Sequence, residues 1–405
     1  MSDPNGGSDP RTRAFVESHR DELVAFRRHL HAHPELSNEE VETTDLVAQR
    51  LAAAGLQPQV LPGGVGLFCD IGTGTGPVVA LRADLDALAM DDESDVAFRS
   101  KRPGVAHACG HDVHTTVVLG AGLALREHLV QDGSIAGRVR LLFESAEEAV
   151  PSGAGDLIAA GALRDVTAVF GLHCDPKRDV GSIGVRAGPL TAASDLITID
   201  LHGPGGHTAR PQLTVDLVQV AARLATELPP RIERGVATAG AGLFVFGSLR
   251  TGDAPNVIPS RARLAGTFRT HAPEAWALGA EVIPAEVAAI LEGTGATFEL
   301  DHQRGVPPVV NDAAETDRLA RAARSVLGDG AVDEAPQSWG GDSFAWYLDH
   351  APGTYARLGI HDPTRAGDRE DLHSSTFHVD ERAIDVGVRL LVGAVVSAIA
   401  QRTHP

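Results

Sequence analysis

Four short apolar runs, residues 66–71, 78–81, 138–143 and 168–172, alternate with helical stretches, and each ends at polar residues. They read as buried strands. Buried strands alternating with helices predict an α/β domain whose chemistry sits at strand ends and in the loops beyond them. Helical periodicity covers residues 14–31, where Phe15, Leu23, Phe26 and Leu30 share one side, and returns over 43–55 with Gly55 as a stop signal.

The character changes after about Gly188. A strand at 195–201, a glycine loop, a helix at 215–228 and strands at 243–249 and 261–270 lead to a helix at 273–291 and a strand at 296–303. That order is a βαββαβ unit of the ferredoxin-like kind. Beyond about Gly305 the outer pattern resumes, with helices at 312–327 and 380–401. The expected organisation is an α/β domain in two sequence pieces, 1–188 and 306–405, with a small α+β domain, 189–305, inserted. A chain of 405 residues makes two domains the natural expectation.

Composition narrows the partners. Fifty-four acidic against 35 basic residues leave a formal charge of −19, and no Lys/Arg-rich run interrupts it. Such a surface repels phosphate backbones, which argues against nucleic acid and anionic membrane. The apolar stretch 386–400 reads as too short for a membrane span and contains Arg389. Three cysteines, an odd number, suggest free thiols or ligands rather than a disulfide framework. Residues 1–10, MSDPNGGSDP, have neither a basic n-region nor an apolar h-region and read as a disordered leader. A soluble, cytoplasmic protein is expected.

The strongest local signal is His107-Ala-Cys109-Gly-His111-Asp112-Val-His114. Cys109 and His111 could face one ion with Asp112 behind them; the alternative is a histidine-rich loop with a buried thiol. Glu147 and Glu148 follow an apolar strand, where one carboxylate can bind metal while the other moves protons. Adjacent glutamates also suit a helix N-terminus. Asp84 and Asp86 end another strand, His173 ends a third, and His373 lies late in the chain. Each of these alone is as well explained by ordinary packing. As a set, Cys109, His111, Glu148, His173 and His373 supply five ligands, enough with a bridging group for three contacts on each of two ions. Glu147 then remains to take a proton from water.

The ordered motifs RRHLHAHPELSNEE, LRADLDAL, HACGHDVHTT, the double glutamate, GLH, GGHTARP, NVIPSRARLAGTFR and LHSSTFHVDE run from about Arg28 to about Val386. This string resembles the dinuclear metallopeptidases of the aminoacylase and carboxypeptidase type, peptidase clan MH. It is most similar to their amidohydrolase branch, with hippurate hydrolases and hydrolases of indole-acetyl amino acid conjugates. The resemblance implies a zinc-peptidase-like catalytic domain and an inserted lid or dimerisation domain. It implies Cys109, His111, Glu148, His173 and His373 as metal ligands, Glu147 as general base, and Asp86 as the carboxylate supporting a ligand from behind. His207 matches a histidine that reaches a partner subunit's site, and Asn256 and Arg269 match residues that hold substrate. Departures fall where pocket walls would be: Ser145 where proline is common, Gln212 where a further histidine is usual, Gly341 in the late acidic stretch, and Cys174 beside His173.

The expected function is metal-dependent hydrolysis of an N-acyl amino acid or a related small amide, with metal-activated water and Glu147 as base. Two divalent ions per subunit, zinc or manganese with cobalt as a further candidate, are the expected cofactors, and a homodimer the expected assembly. A di- or aminopeptidase-like exopeptidase is the alternative, and a non-catalytic metal-binding or assembly protein the remote one.

Overall fold

The computed structural model describes residues 9–72, 76–127, 136–365, 367 and 369–403. In chain order it runs α1 (Pro10–Ala32), α2 (Val41–Ala53), β1 (Gln59–Val60), β2 (Leu67–Ile71), β3 (Val78–Asp84), α3 (His111–Arg126), β4 (Arg138–Glu144), α4 (Ala154–Ala159), β5 (Val166–Asp179) and β6 (Ile183–Val185). Then come β7 (Ala193–His202), β8 (Gly206–His207), α5 (Leu217–Val236), β9 (Gly242–Thr251), β10 (Val257–Ile258), β11 (Arg261–Thr270), α6 (Pro273–Leu291) and β12 (Thr297–Val306). The remainder is α7 (Ala313–Leu327), β13 (Val332–Glu334), β14 (Gly353–His361) and α8 (Arg382–Thr403). The chain forms two compact units: Met1–Gly188 with Val310–Pro336 and Trp346–Pro405, and Pro189–Val309 with Gln337–Ala345.

The first unit is built on an eight-stranded sheet in the order β1-β2-β4-β3-β5-β14-β6-β13. β3 lies parallel to β4 and β5, and β5 parallel to β14. Every residue of β3 is buried, as parallel strands covered on both faces require. Val79, Leu81, Leu141 and Phe170 of the sheet share one core with Leu23 and Phe26 of α1, Val117 of α3 and Leu391 and Val395 of α8. α8 is long and apolar enough to cross a membrane, and the sequence stretch 386–400 understated its length. Burial decides its role: Val388, Leu390, Leu391, Ala394, Val395, Ala398 and Ile399 are all inside the core.

α1 begins earlier than its periodicity predicts. Asp9 Oδ1 accepts the Arg11 amide at 3.2 Å and Pro10 fills the first helical position, so residues 9 and 10 belong to a helix start rather than to a leader. Residues 1–8 of the expected leader lie outside the described residues. β5 is longer than its apolar run. Its register with β3 ends at Arg82 opposite Gly171, so His173 lies two residues beyond the last β3 pair, while on its other side it stays opposite Arg357 of β14 in a strand that continues to Asp179.

The second unit carries a four-stranded antiparallel sheet in the order β9-β11-β7-β12, connected as βαββαβ through α5 and α6. Ile197, Ile199, Leu201, Leu264 and Phe268 pack against Leu224, Leu228, Ile232, Ile283 and Val287. α5 passes through Pro229 and Pro230, where the sequence predicts a stop at 228. Leu224, Leu228, Ile232 and Val236 recur every fourth residue on the buried face, and that burial carries the helix past the lost donors. The segment 337–345 belongs here rather than to a C-terminal piece 306–405, because Ser338 donates to the Leu190 carbonyl at 2.9 Å and Ala192 to that of Gly340 at 3.0 Å.

Candidate metal centre

The first unit gathers its titratable residues where β3 and β4 run out, beside the middle of β5 and the start of α3. Gly110 makes that start possible. It sits at φ +91°, and a Cβ there would lie 2.7 Å from Cys174 Sγ. Only glycine turns the chain this sharply while packing this closely. The turn puts Cys109 on one side and His111, the first residue of α3, on the other.

Five donor atoms then form a continuous series. Cys109 Sγ lies 3.6 Å from His173 Nε2, and ligand atoms of Cys109, His111 and Glu148 lie within 4.8 Å of one another. His111 Nε2 is 3.9 Å from Glu148 Oε1, which is 3.2 Å from His373 Nε2. His373 arrives from far along the chain, tied by its amide to the Ala108 carbonyl at 2.8 Å and held at φ +61°. Glu147, next to Glu148, is half-buried, and its charge helps to disfavour ionisation of Cys109.

The ring nitrogens are set by their other partners. His111 Nδ1 faces the Asp86 carbonyl at 2.9 Å and its carboxylate at 3.1 Å, so Nδ1 carries hydrogen and Nε2 points into the cluster. His173 Nδ1 donates to the Cys174 carbonyl at 2.7 Å, leaving Nε2 facing Cys109. Asp86 is fixed in turn by Ser37 Oγ at 2.7 Å and the Glu148 amide at 3.0 Å. Carboxylates behind imidazoles in this manner orient the rings and raise their basicity.

Asp84, His111 and His114 form a second cluster of metal-capable atoms. His114 cannot lend a lone pair to it. Its Nε2 accepts the Cys174 amide at 2.8 Å, and its Nδ1 donates to Asp84 at 2.7 Å. Asp84 also takes Arg82 at 2.6 Å, and Arg82 reaches Glu144 at 2.7 Å, all three fully buried.

The electrostatics favour cations. Burial opposes charge on His111, but Asp84, Cys109 and Asp86 outweigh it and raise its pKa well above the ordinary value. Among the described residues His111 Nε2 nevertheless meets no carboxylate oxygen closer than 3.8 Å. Burial, with Arg357 and His114, holds His173 well below its ordinary value, so it presents a neutral lone pair. Burial pushes the Cys109 thiol up, and a soft divalent cation is what would stabilise its thiolate. A thiol and a carboxylate grouped with the His111 ring nitrogen, and a neutral imidazole facing that thiol, fit divalent metal.

Asp112 does something other than support a ligand. It accepts from His31 Nδ1 at 2.9 Å, pairs with Arg27 Nε at 2.7 Å and caps the Val113 amide, joining α1 to α3. Sequence reasoning assigned nothing to Arg27, His31 or Glu40, although all lie in or beside the RRHLHAHPELSNEE motif. His107 is buried with both ring nitrogens unbonded among the described residues, and burial pushes its pKa down to about 4.

In the second unit, β8 pairs with β10 so that His207 lies opposite Val257, and the Thr208 amide donates to the Asn256 carbonyl at 3.3 Å. His207 is exposed, and its Nδ1 accepts the Ala209 amide. Arg269 stands apart, donating to the Trp339 carbonyl at 2.7 Å near the far end of β11. Eight residues, about 26 Å of strand, separate Arg269 from Arg261 at the other end.

The sequence profile of peptidase family M20/M25/M40 matches residues 80–397. The chain belongs to that family. It is a metal-dependent hydrolase of amide bonds. A Rhodococcus jostii protein whose name assigns it as a glutamate–cysteine ligase is 46% identical over 93% of this chain, which spans 47% of that protein, about half its length. The N-acetyl-L-cysteine deacetylase of Bacillus subtilis is 38% identical, covering 90% of this chain and 85% of the deacetylase. The crystal structure of a dinuclear metal-binding peptidase of the M20 family, also from Bacillus subtilis, superposes with a TM-score of 0.81 at 31% identity. That match covers 95% of this chain and 99% of the peptidase.

Proposed function

We propose that this M20 chain hydrolyses N-acyl amino acids, with Cys109, His111, Glu148, His173 and His373 holding two divalent ions and Glu147 as general base. The observation that carries the reading is the series of five donor atoms, each next to another at 3.2–4.8 Å, within one unit. The ions, when bound, polarise the amide carbonyl and acidify water. Glu147 takes the proton of the attacking water and delivers it to the leaving nitrogen. Asp86 keeps His111 aimed through both hydrogen bonds, and the Glu148 amide ties the same carboxylate to the base-bearing loop.

His207 donates to the developing oxyanion, while Asn256 and Arg269 hold the substrate carboxylate. His207 and Asn256 lie beyond the Arg261 end of β11 and Arg269 near its other end, and a span of about 26 Å exceeds a small substrate, so on this reading the His207 and Asn256 of one chain serve a different site from its Arg269. This favours a homodimer through the inserted domain, which acts as lid and gives each site the partner's histidine. The thiolate ligand favours zinc, with manganese or cobalt as substitutes. Three buried free thiols suit a reducing, cytoplasmic setting. The name of the deacetylase relative supports an N-acyl amino acid as substrate.

The test is a panel of N-acetyl- and N-benzoyl-amino acids beside free dipeptides, assayed on metal-reconstituted enzyme with and without chelator. Acyl amino acids should be cleaved, chelator should abolish cleavage, and divalent metal should restore it. Preference for free dipeptides would replace the substrate class, and full activity after metal removal would remove the mechanism.

A further inference from the structure

Ala146 is the residue immediately before the Glu147–Glu148 pair, and it adopts φ +52°. A residue with a Cβ enters that left-handed region at about 1–2 kcal/mol. Its torsions set the direction in which the two carboxylates leave β4. Such strain persists only where the surroundings over-determine it.

The surroundings are visible as four clamps. The Glu144 carbonyl accepts the Leu85 amide at 2.9 Å, and the Ser145 carbonyl accepts the Gly153 amide at 3.1 Å. The Glu148 amide donates to Asp86 at 3.0 Å. The strained residue itself is held by a side chain 106 positions away, the Ala146 amide donating to Glu40 Oε1 at 2.7 Å.

Glu40 is an expensive way to satisfy the amide of Ala146. It is fully buried, its Oε2 has no close hydrogen-bond partner among the described residues, and burial with the nearby Asp86 charge pushes its pKa up to about 7 against the opposing pull of the Ala146, Glu40 and Asn38 amides. Replacing a buried charged group with a well-packed apolar one is often neutral or stabilising. Stability alone therefore does not account for a carboxyl here; a directional acceptor for one strained amide does. Glu40 immediately precedes α2, whose start is fixed by Glu35 through the Glu42 and Thr43 amides at 3.1 and 2.7 Å. The acceptor thus stands on a rigid base.

We propose that Glu40 is a positioning residue for catalysis, holding Ala146 in its left-handed conformation so that Glu147 is aimed at the attacking water. This rests on Glu147 as the general base, as proposed above. Glu40→Met fills the space without an acceptor, Glu40→Asp keeps the charge but withdraws the oxygen by one methylene, and Glu40→Gln keeps the acceptor at full reach.

The experiment measures kcat, KM, metal content and thermal midpoint for these variants, in the parent and in a Glu147→Gln background, on an N-acetyl amino acid. Displacing a catalytic group by about 1 Å removes on the order of 100-fold in rate. Glu40→Met and Glu40→Asp should each lose about 10- to 100-fold in kcat with KM and both metals unchanged, and Glu40→Gln should recover most of that loss. In the Glu147→Gln background the Met and Asp substitutions should cost nothing further, since Glu40 acts only through Glu147. Equal losses in both backgrounds, or losses that follow metal content or thermal midpoint, overturn the proposal. If Glu40→Met does not fold, Glu40→Asp against Glu40→Gln carries the same comparison. If Glu147→Gln keeps parental kcat, the general-base reading fails first and the positioning role with it, a result distinct from equal losses in two backgrounds.

Discussion

His111 presents Nδ1 to Asp86 twice, to its carbonyl at 2.9 Å and to its carboxylate at 3.1 Å, and the other oxygen of that carboxylate holds the Glu148 amide. One side chain thereby orients two of the proposed ligands. Asp86→Ala should lower metal affinity by about 10- to 100-fold, the range for lost partners behind a metal ligand. Metal titration followed by mass-spectrometric counting checks it. Unchanged affinity would mean that the loops, rather than Asp86, set the ring.

The adjacent glutamates should separate cleanly. Glu147→Gln should keep both ions and bind substrate while losing on the order of 100-fold or more in turnover. Glu148→Gln should lose metal first, because its Oε1 sits between His111 and His373. Metal analysis showing the reverse would exchange the two roles.

Arg82 is buried between Asp84 and Glu144, and the Tyr347 hydroxyl also donates to Glu144 at 2.9 Å. Arg82→Met leaves two carboxylates buried without their cation, and breaking such a pair costs about 3–5 kcal/mol. Urea unfolding of metal-loaded protein reads the loss. A change below about 1 kcal/mol would show that His114 and Tyr347 suffice.

Glu40 should couple stability to pH. Its pKa rises from the ordinary 4.5 to about 7 on folding, so the native state holds this proton more tightly than the unfolded chain. The stability it contributes is fully present below about pH 4.5 and is lost as pH rises through about 7, by at most about 3 kcal/mol. Glu40→Gln has no such term, so the stability of the parent relative to the variant should fall between pH 5 and 8. A flat difference across that window would contradict the shift.

The trans role of His207 is testable by complementation. Glu147→Gln and His207→Ala homodimers should each be nearly inactive. Under verified subunit exchange at equal mixing, about half the dimers are hybrids with one intact site, returning roughly a quarter of parental activity. No recovery would place His207 in its own chain's site.

The sequence by itself determined the class of fold, because strand and helix periods report burial locally: the runs at 78–81 and 138–143 became the centre of the sheet. It also brought Cys109, His111 and the glutamate pair to attention, since ligands eight or fewer residues apart are visible as a motif. What it did not reveal is anything whose partner lies far along the chain. β14 went unrecognised although it pairs with β5, and the continuation of α5 through Pro229 and Pro230 depends on a buried stripe that only the sheet beneath it supplies. Asp112 looked like a ligand's support by proximity in sequence, yet α1 brings Arg27 and His31 to it. Glu40 meets Ala146 across 106 positions, and His373 reaches Glu148 from the last stretch before α8. Local pattern encodes which residues are buried and which can ligate. Which of them meet is decided by packing, because only closing the sheet around one core fixes distances between groups that the chain itself leaves free.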